Sequence, residues 1–230
     1  MKRGNVLRIT DSRIEQYLNS VTKDFDGNIG EMQKYARDQG LPVAEPATAR
    51  FIATLLSALR PKEVLEIGCC IGFSAALMSN YLAEGGHVTT IERYSVMIEK
   101  ARANIEKYEL GDKITLIEGD ATNILPTLDK KYDFIFMDAA KGQYSRFLPH
   151  CIRLLNVGGV LLADDILKDG YVAMEREEIP RRQRTTHMRM QEFIHAITNT
   201  DGLESSILTV GKGLAMCTKL RDDVVIGGVE

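Results

Sequence analysis

From residue 63 onward, short apolar runs alternate with longer stretches of helical period. EVLEIG (63–68), HVTTIE (87–92), KITLIEGDA (113–121), YDFIFMDAA (132–140) and GGVLLADDI (158–166) read as strands. SAALMSNYLA (74–83), SVMIEKARANIEKYEL (95–110) and YSRFLPHCIRLL (144–155) read as the intervening helices, with a short one after KITLIEGDA. Runs apolar on both faces, separated by helices, predict a parallel sheet covered on both sides, a doubly wound α/β fold. A long helix over 181–199 follows. ESSILTV (204–210) and LAMCTKL (214–220) around a GKG turn predict a terminal antiparallel hairpin. Before residue 61 the pattern is helical only. DSRIEQYLNSV (11–21) opens on a cap, NIGEMQKYARDQG (28–40) ends on Gly40, and a third helix begins at Pro46 and stops at Pro61. The expected organisation is one domain: a helical annex over 1–60, a core over 61–220 and a tail over 221–230.

A doubly wound sheet binds ligands beyond the carboxyl ends of its strands, so the residues ending each run are the informative ones. The first run ends in LEIGCCIGFSA (65–75). The dinucleotide fingerprint GxGxxG fails here, because Cys70 stands at its second glycine and the other spacings do not fit. That counts against an NAD-dependent oxidoreductase. Glu66 would repel a pyrophosphate but welcome a cation, and S-adenosylmethionine (SAM) carries a sulfonium and an amino group with no phosphate. The second run ends at Glu92, where such folds receive ribose hydroxyls, and the third in Asp120-Ala121, on the adenine side. The order EIGCCIGFSA, IE, GDA resembles the class I SAM-dependent methyltransferases, which have a Rossmann-like, mainly parallel seven-stranded sheet. The resemblance implies a cofactor site lined by Glu66, Gly68, Gly72, Ser74, Glu92, Asp120, Ala121 and Asp138.

Composition narrows the surroundings without altering this picture. The 230 residues carry a net charge of −3, which argues against general adhesion to nucleic acid but leaves room for a local basic patch. No run of apolar residues is long enough for a membrane span, and the first residues lack the apolar stretch of a signal peptide. Four cysteines (Cys69, Cys70, Cys151, Cys217) without CxxC spacing suit free thiols in a reducing cytoplasm. Cys69 and Cys70 read as small loop residues: the acids around them oppose thiolate formation, and no histidine or thiol pair at metal spacing accompanies them. Four scattered histidines read as structural or surface groups, and Tyr144 as a residue of the crevice mouth or of the packing.

The fourth and fifth runs add a second acidic group, Asp138 with Asp164 and Asp165. Neighbouring carboxylates raise one another's pKa, and a hard divalent cation such as Mg²⁺, Mn²⁺ or Ca²⁺ relieves that conflict. The alternative is that Asp164 or Asp165 caps a turn. Lys141, three residues after Asp138, is a candidate base if nearby positive charge lowers its pKa; a solvated lysine at a helix start is the alternative. YDFIFMDAAKGQY followed by GGVLLADDIL resembles the cation-dependent O-methyltransferases of catechol and caffeoyl-CoA type. This implies Asp138, Asp164 and Asp165 as metal ligands and Lys141 as base. Members usually carry Asp-Asn where this chain has Asp164-Asp165.

DAAKGQY, the segment LKDGYVAM…PRRQRTTHMRMQEF and the ending ILTVGKGLAM resemble the bacterial group that methylates tRNA 5-hydroxyuridine to 5-methoxyuridine at the wobble position. That resemblance spans about residues 10–220 and implies an anticodon stem-loop as partner, with a small catechol-like acceptor as the alternative. The O4 and 5-hydroxyl of the modified uridine form a vicinal pair like a catechol edge. Arg181, Arg182, Arg184 and Arg189 are candidates for phosphate contact. A solvated helix face paired with Glu175, Glu177 and Glu178, or a subunit interface, would use the same residues. Relatives of this kind are commonly homodimers, and the helical annex is a candidate interface.

Overall fold

A computed structural model describes residues 11–227; what was expected of the first ten residues, and of the end of the tail, lies outside them. Three helices come first, α1 (Ser12–Val21), α2 (Gly27–Asp38) and α3 (Pro46–Leu59). Asp11 starts α1 by accepting a hydrogen bond from the Arg13 amide, and Pro46 opens α3, where its missing N–H costs nothing. Arg60 ends α3 in a left-handed conformation just before Pro61. The α1 face bearing Ile14, Tyr17, Leu18 and Val21 is exposed.

Seven strands then form one sheet, β1 (Glu63–Ile67), β2 (His87–Glu92), β3 (Ile114–Glu118), β4 (Tyr132–Met137), β5 (Leu155–Ala163), β6 (Leu203–Leu208) and β7 (Leu214–Lys219). Their spatial order is β3-β2-β1-β4-β5-β7-β6. The first five strands run parallel, and β7 runs antiparallel to both β5 and β6. Helices α4 (Phe73–Ser79), α5 (Ser95–Lys107), α6 (Ala121–Ile124), α7 (Tyr144–Leu154) and α8 (Arg184–Asn199) cover the faces. The expected α/β architecture is therefore present, hairpin included.

Alternation along the strands builds two cores. On β1, Leu65 and Ile67 join Ile135, Met137, Leu161 and the apolar faces of α7 and α8. Val64 instead joins Phe134, Phe136, Leu162 and residues of α2, α3 and α4. Each face is closed by helices, which is why the central strands have almost no polar positions to spare. Boundaries differ from the sequence pattern in three places. The helix after β1 stops at Ser79, residues 181–183 form a 3₁₀ turn ahead of α8, and β5 begins at Leu155, directly after α7.

The chain builds outward from β1 through β2 to β3 and then returns to β4 on the other side, so strand order reverses between β1 and β4. This is the place where doubly wound sheets open a crevice. Gly68, at the end of β1, has φ +99°, and a Cβ there would lie 2.2 Å from the carbonyl oxygen of Asp138. Only glycine permits the two strand ends to pass this closely. The central packing gives a direct prediction. Phe136 is fully buried, so Phe136→Ala should lower the unfolding free energy by about 3–5 kcal/mol. Urea denaturation measures it, and an unchanged midpoint would contradict the assigned core.

Candidate active site

A cavity of about 670 Å³ opens at the reversal point. Its lining comes from every strand end that the sequence pattern singled out: Gly68, Glu92, Asp120, Ala121, Asp138, Asp164 and Asp165, with Ser74 and Lys141. Two expected residues are not on its wall. Gly72 forms the left-handed N-cap of α4 and faces Ala101. Glu66 lies fully buried beneath the floor, because its position on β1 points it toward the helices rather than along the strand axis.

Among the described residues, Glu66 is one of two acids whose carboxyls burial pushes well up. Burial pushes its carboxyl up to about 7, although the hydroxyls of Ser74 and Thr90 favour the charged form, and the carboxylates of Asp138 and Glu92 push it further up. Thr90 closes a hydrogen bond to Oε2, whereas Oε1 has no partner among the described residues. An orphaned acceptor beneath the cavity floor suits a ligand that brings positive charge above it.

Glu92 is organised in the opposite way. Its Oε2 accepts from the Cys70 amide at 2.9 Å, and its Oε1 from the amides of Arg93 and Tyr94 at 2.8 and 2.9 Å. The carboxylate is thus fixed by three backbone donors at the edge of the cavity. Asp120 accepts from the Thr122 amide at 2.8 Å and pairs with Arg93 at 3.0 Å. Thr122 and Arg93 hold it below the usual carboxylate range. Arg93 and Tyr94 are cavity residues that strand-end patterns could not reveal, since they follow the strand rather than end it.

The two cysteines fall where the sequence suggested. Cys70 has φ +49°, the conformation glycine adopts freely, and its thiol lies 3.8 Å from the sulfur of Met97. Burial pushes the Cys70 thiol up to about 11 and that of Cys69 well above its ordinary value, with the acids adding to both. Neither is a thiolate near neutral pH. All four cysteines are free.

At the other end of the cavity, the Asp138 amide donates to Ile67 on β1, and the Asp164 amide donates to Met137 on β4. Neighbouring strands therefore hold both acids in register. Asp164 is buried, and burial with the nearby Asp138 pushes its carboxyl up to about 7. Asp165 has φ +65°, a conformation that short polar side chains such as Asp and Asn tolerate.

Lys141 is engaged on several sides. Its Nζ donates to Asp138 at 2.8 Å and to the Tyr144 hydroxyl at 3.0 Å, and lies 3.7 Å from Asp165. Burial would lower its pKa, but Tyr144, Asp138 and Asp165 outweigh that and hold the ammonium well above its ordinary value. The lysine balances carboxylates rather than facing positive charge. In kind, Asp138, Asp164 and Asp165 are hard oxygen donors suited to a divalent cation. In spacing, no group of three His, Cys, Asp or Glu side chains among the described residues is already set to hold one.

The mouth joins a segment that no motif marked to the GKG turn. Pro42, Val43, Ala44 and Glu45, ahead of α3, meet Lys212 in the β6–β7 turn, where Lys212 pairs with Glu45 at 2.8 Å. The four arginines separate into two kinds. Arg181 and Arg182 are exposed. Arg184 donates to the carbonyls of Ile179 and Glu177, and Arg189 to that of Gly142. Their guanidinium groups are engaged within the fold, which the sequence could not show because their partners are backbone atoms.

Residues 31–220 match the O-methyltransferase family. The chain belongs to that family. A caffeoyl-CoA O-methyltransferase from Populus kitakamiensis is 31% identical over 196 residues, covering 82% of each chain. A catechol O-methyltransferase from Niastella koreensis is 26% identical over 176 residues, covering 74% of this chain and 80% of its own. Among solved structures, an O-methyltransferase from Bacillus cereus in complex with S-adenosylhomocysteine superposes with a TM-score of 0.77 at 25% identity, covering 90% of this chain and 97% of its own. The fold is thus the Rossmann-like one of the SAM methyltransferases, as expected from the sequence. Among the described residues, no helix of this O-methyltransferase is long and apolar enough to cross a membrane.

The buried acid yields a pH prediction. Unfolded, Glu66 ionises near its ordinary 4.5; folded, it does so at about 7. Between those values the folded chain keeps a proton that the unfolded chain releases, so this group costs stability progressively as pH rises across that window. Glu66→Gln should flatten the fall, by no more than about 3 kcal/mol. Thermal unfolding at about pH 5 and about pH 8 reads it; equal slopes in both proteins would remove the assignment.

Proposed function

We propose that this chain is a SAM- and divalent-metal-dependent O-methyltransferase that methylates the 5-hydroxyl of 5-hydroxyuridine at the tRNA wobble position. The observation that carries the methyl-transfer reading is the single cavity running from Gly68, Glu92 and Asp120 to Lys141, Asp138, Asp164 and Asp165. A methyl donor at one end and a hydroxyl at the other would share one enclosed space. The tRNA assignment rests on the sequence resemblance and on the outward-facing Arg181 and Arg182.

The residues present suit the cofactor. Glu92 is placed for a pair of ribose hydroxyls and Asp120 and Ala121 for the base, while Gly68 leaves room beside Asp138. The orphaned Glu66 Oε1 favours a ligand bearing a positive charge nearby. When bound, SAM supplies a methyl group on sulfonium, and a divalent cation supplies Lewis acidity toward two adjacent acceptor oxygens. Asp138, Asp164 and Asp165 would hold that cation.

Lys141 is the residue placed to move the acceptor's proton, at Nζ. Its ammonium now compensates Asp138 and Asp165, so it is free to accept a proton only when other positive charge takes over that role. Asp138 also fixes its direction, and the cavity walls align the attacking oxygen and exclude water. Lys141→Met should therefore lower kcat by roughly 10²–10⁴-fold while leaving SAM affinity nearly intact, measured by calorimetry.

The relatives named for caffeoyl-CoA and catechol favour a second reading, a small vicinal-diol aromatic as acceptor. Labelled SAM offered with hypomodified tRNA and with a panel of catechols separates the two. Label entering tRNA, abolished by EDTA and restored by Mg²⁺ or Mn²⁺, is the expected result. Methylated catechols with unlabelled tRNA would overturn the tRNA assignment, and activity indifferent to EDTA would overturn the metal.

A further inference from the structure

A lysine reaches its target only as reliably as its backbone is held. Lys141 lies in a 3₁₀ turn, Lys141–Gln143, that bridges the end of β4 to α7. Inside the turn, the Gln143 amide donates to Ala140 and the Tyr144 amide to Lys141, so its own hydrogen bonds are local. Two anchors come from beyond it. The first is Tyr144, fully buried with its ring edge-on to Phe193 at 5.4 Å. Its hydroxyl lies 3.0 Å from the Met137 carbonyl, 3.1 Å from the Asp164 carbonyl and 3.0 Å from Lys141 Nζ. One phenol thus meets the ends of β4 and β5 and the tip of the lysine.

The second anchor is Arg189. From α8 its Nη1 donates to the Gly142 carbonyl at 2.9 Å. This hydrogen bond ties the backbone of the turn to α8, an element distant from it in the chain. Gly142 rests against α8 without crowding, since a Cβ there would stand 3.7 Å from Thr186 Oγ1 and 3.9 Å from Arg189 Nη1. Packing of the turn on α8 is thus not tight at Gly142, and the charged donor adds a directed bond there, of a kind about twice as strong as neutral ones.

We propose that Arg189 is a positioning residue for Lys141, fixing the Gly142 carbonyl so that Nζ is held over the acceptor end of the cavity. The inference rests on the reading of Lys141 as the group that moves the acceptor's proton. It assigns α8, which lies after the acidic strand ends, a part in the reaction although no α8 residue lines the cavity. Arg189 is thereby withdrawn from the residues available to bind phosphate.

Arg189→Met and Arg189→Lys test this, with hydrogen–deuterium exchange of the protein alone as the first readout. Arg189→Met should speed amide exchange over residues 139–144, lower the thermal midpoint by no more than about 4 °C and leave SAM affinity within about twofold. With whichever acceptor the wild-type enzyme methylates, kcat should fall roughly ten- to a hundredfold with little change in the acceptor KM. Arg189→Lys, which still places a charged donor on α8, should recover part of both effects. Unchanged exchange over 139–144 would overturn the proposal, as would parallel losses of SAM affinity, stability and kcat, which mark general damage. A wild-type enzyme active on its acceptor whose rate is indifferent to Lys141→Met would instead overturn the reading of Lys141, and the exchange data would still decide whether Arg189 holds the turn.

Discussion

The close passage of β1 and β4 at Gly68 is the constraint on which the site depends. The Gly68 amide donates to Ile91 and the Asp138 amide to Ile67, so three parallel strands are locked together one residue before the sheet opens. A side chain at Gly68 would force the strands apart and shift Asp138 away from Lys141. A fixed backbone at that point lets one end of the cavity present acids to a cofactor and the other present acids beside a lysine. Both sets hang from the same hydrogen-bonded ladder, so their separation is set by the sheet rather than by flexible loops.

The acids themselves divide by how their charge is stabilised. Glu92 is met by three amides, and Asp120 by Thr122 and Arg93, which hold the Asp120 carboxyl below its usual range. Glu66 and Asp164 are buried with fewer donors, and both carboxyls are pushed up to about 7. The under-compensated pair stand at the two places where positive charge is expected to arrive. That is a common arrangement in functional sites, where local stability is traded for a prepared electrostatic environment.

Much of this was legible in the sequence because strand ends are marked by their own chemistry. Short apolar runs between helical stretches placed β1 to β5, and the acids closing them placed most of the carboxylates on the cavity wall. The interior of the sheet was less legible. Glu66 follows the strand's alternation and turns beneath the floor, which a motif spanning residues 66–72 does not disclose. Lys141 was legible as a candidate base, but the turn that folds it back onto Asp138 and Tyr144 was not. Arg184 and Arg189 looked like surface charge because backbone carbonyls, their real partners, leave no trace in side-chain patterns. Glu45 and Lys212 sit 167 residues apart by number and meet only through the fold. Cys70, read as a small residue in a glycine loop, takes φ +49°, a backbone conformation that the sequence reading did not foresee.

The position of β7 has a consequence for how the chain reaches this state. β7 is the last strand among the described residues, yet it lies between β5 and β6 rather than at the edge. During synthesis the cofactor half, β1 to β3, leaves the ribosome long before its neighbours are complete. β5 then waits with an unpaired flank until residues 214–219 emerge and slot in beside it. The Lys212 turn arrives with them, so the cavity acquires its Glu45–Lys212 lip only after β1 to β5 have been made. A nascent chain can complete β1 to β3 early, while the lip over the cavity waits for residues 212–219.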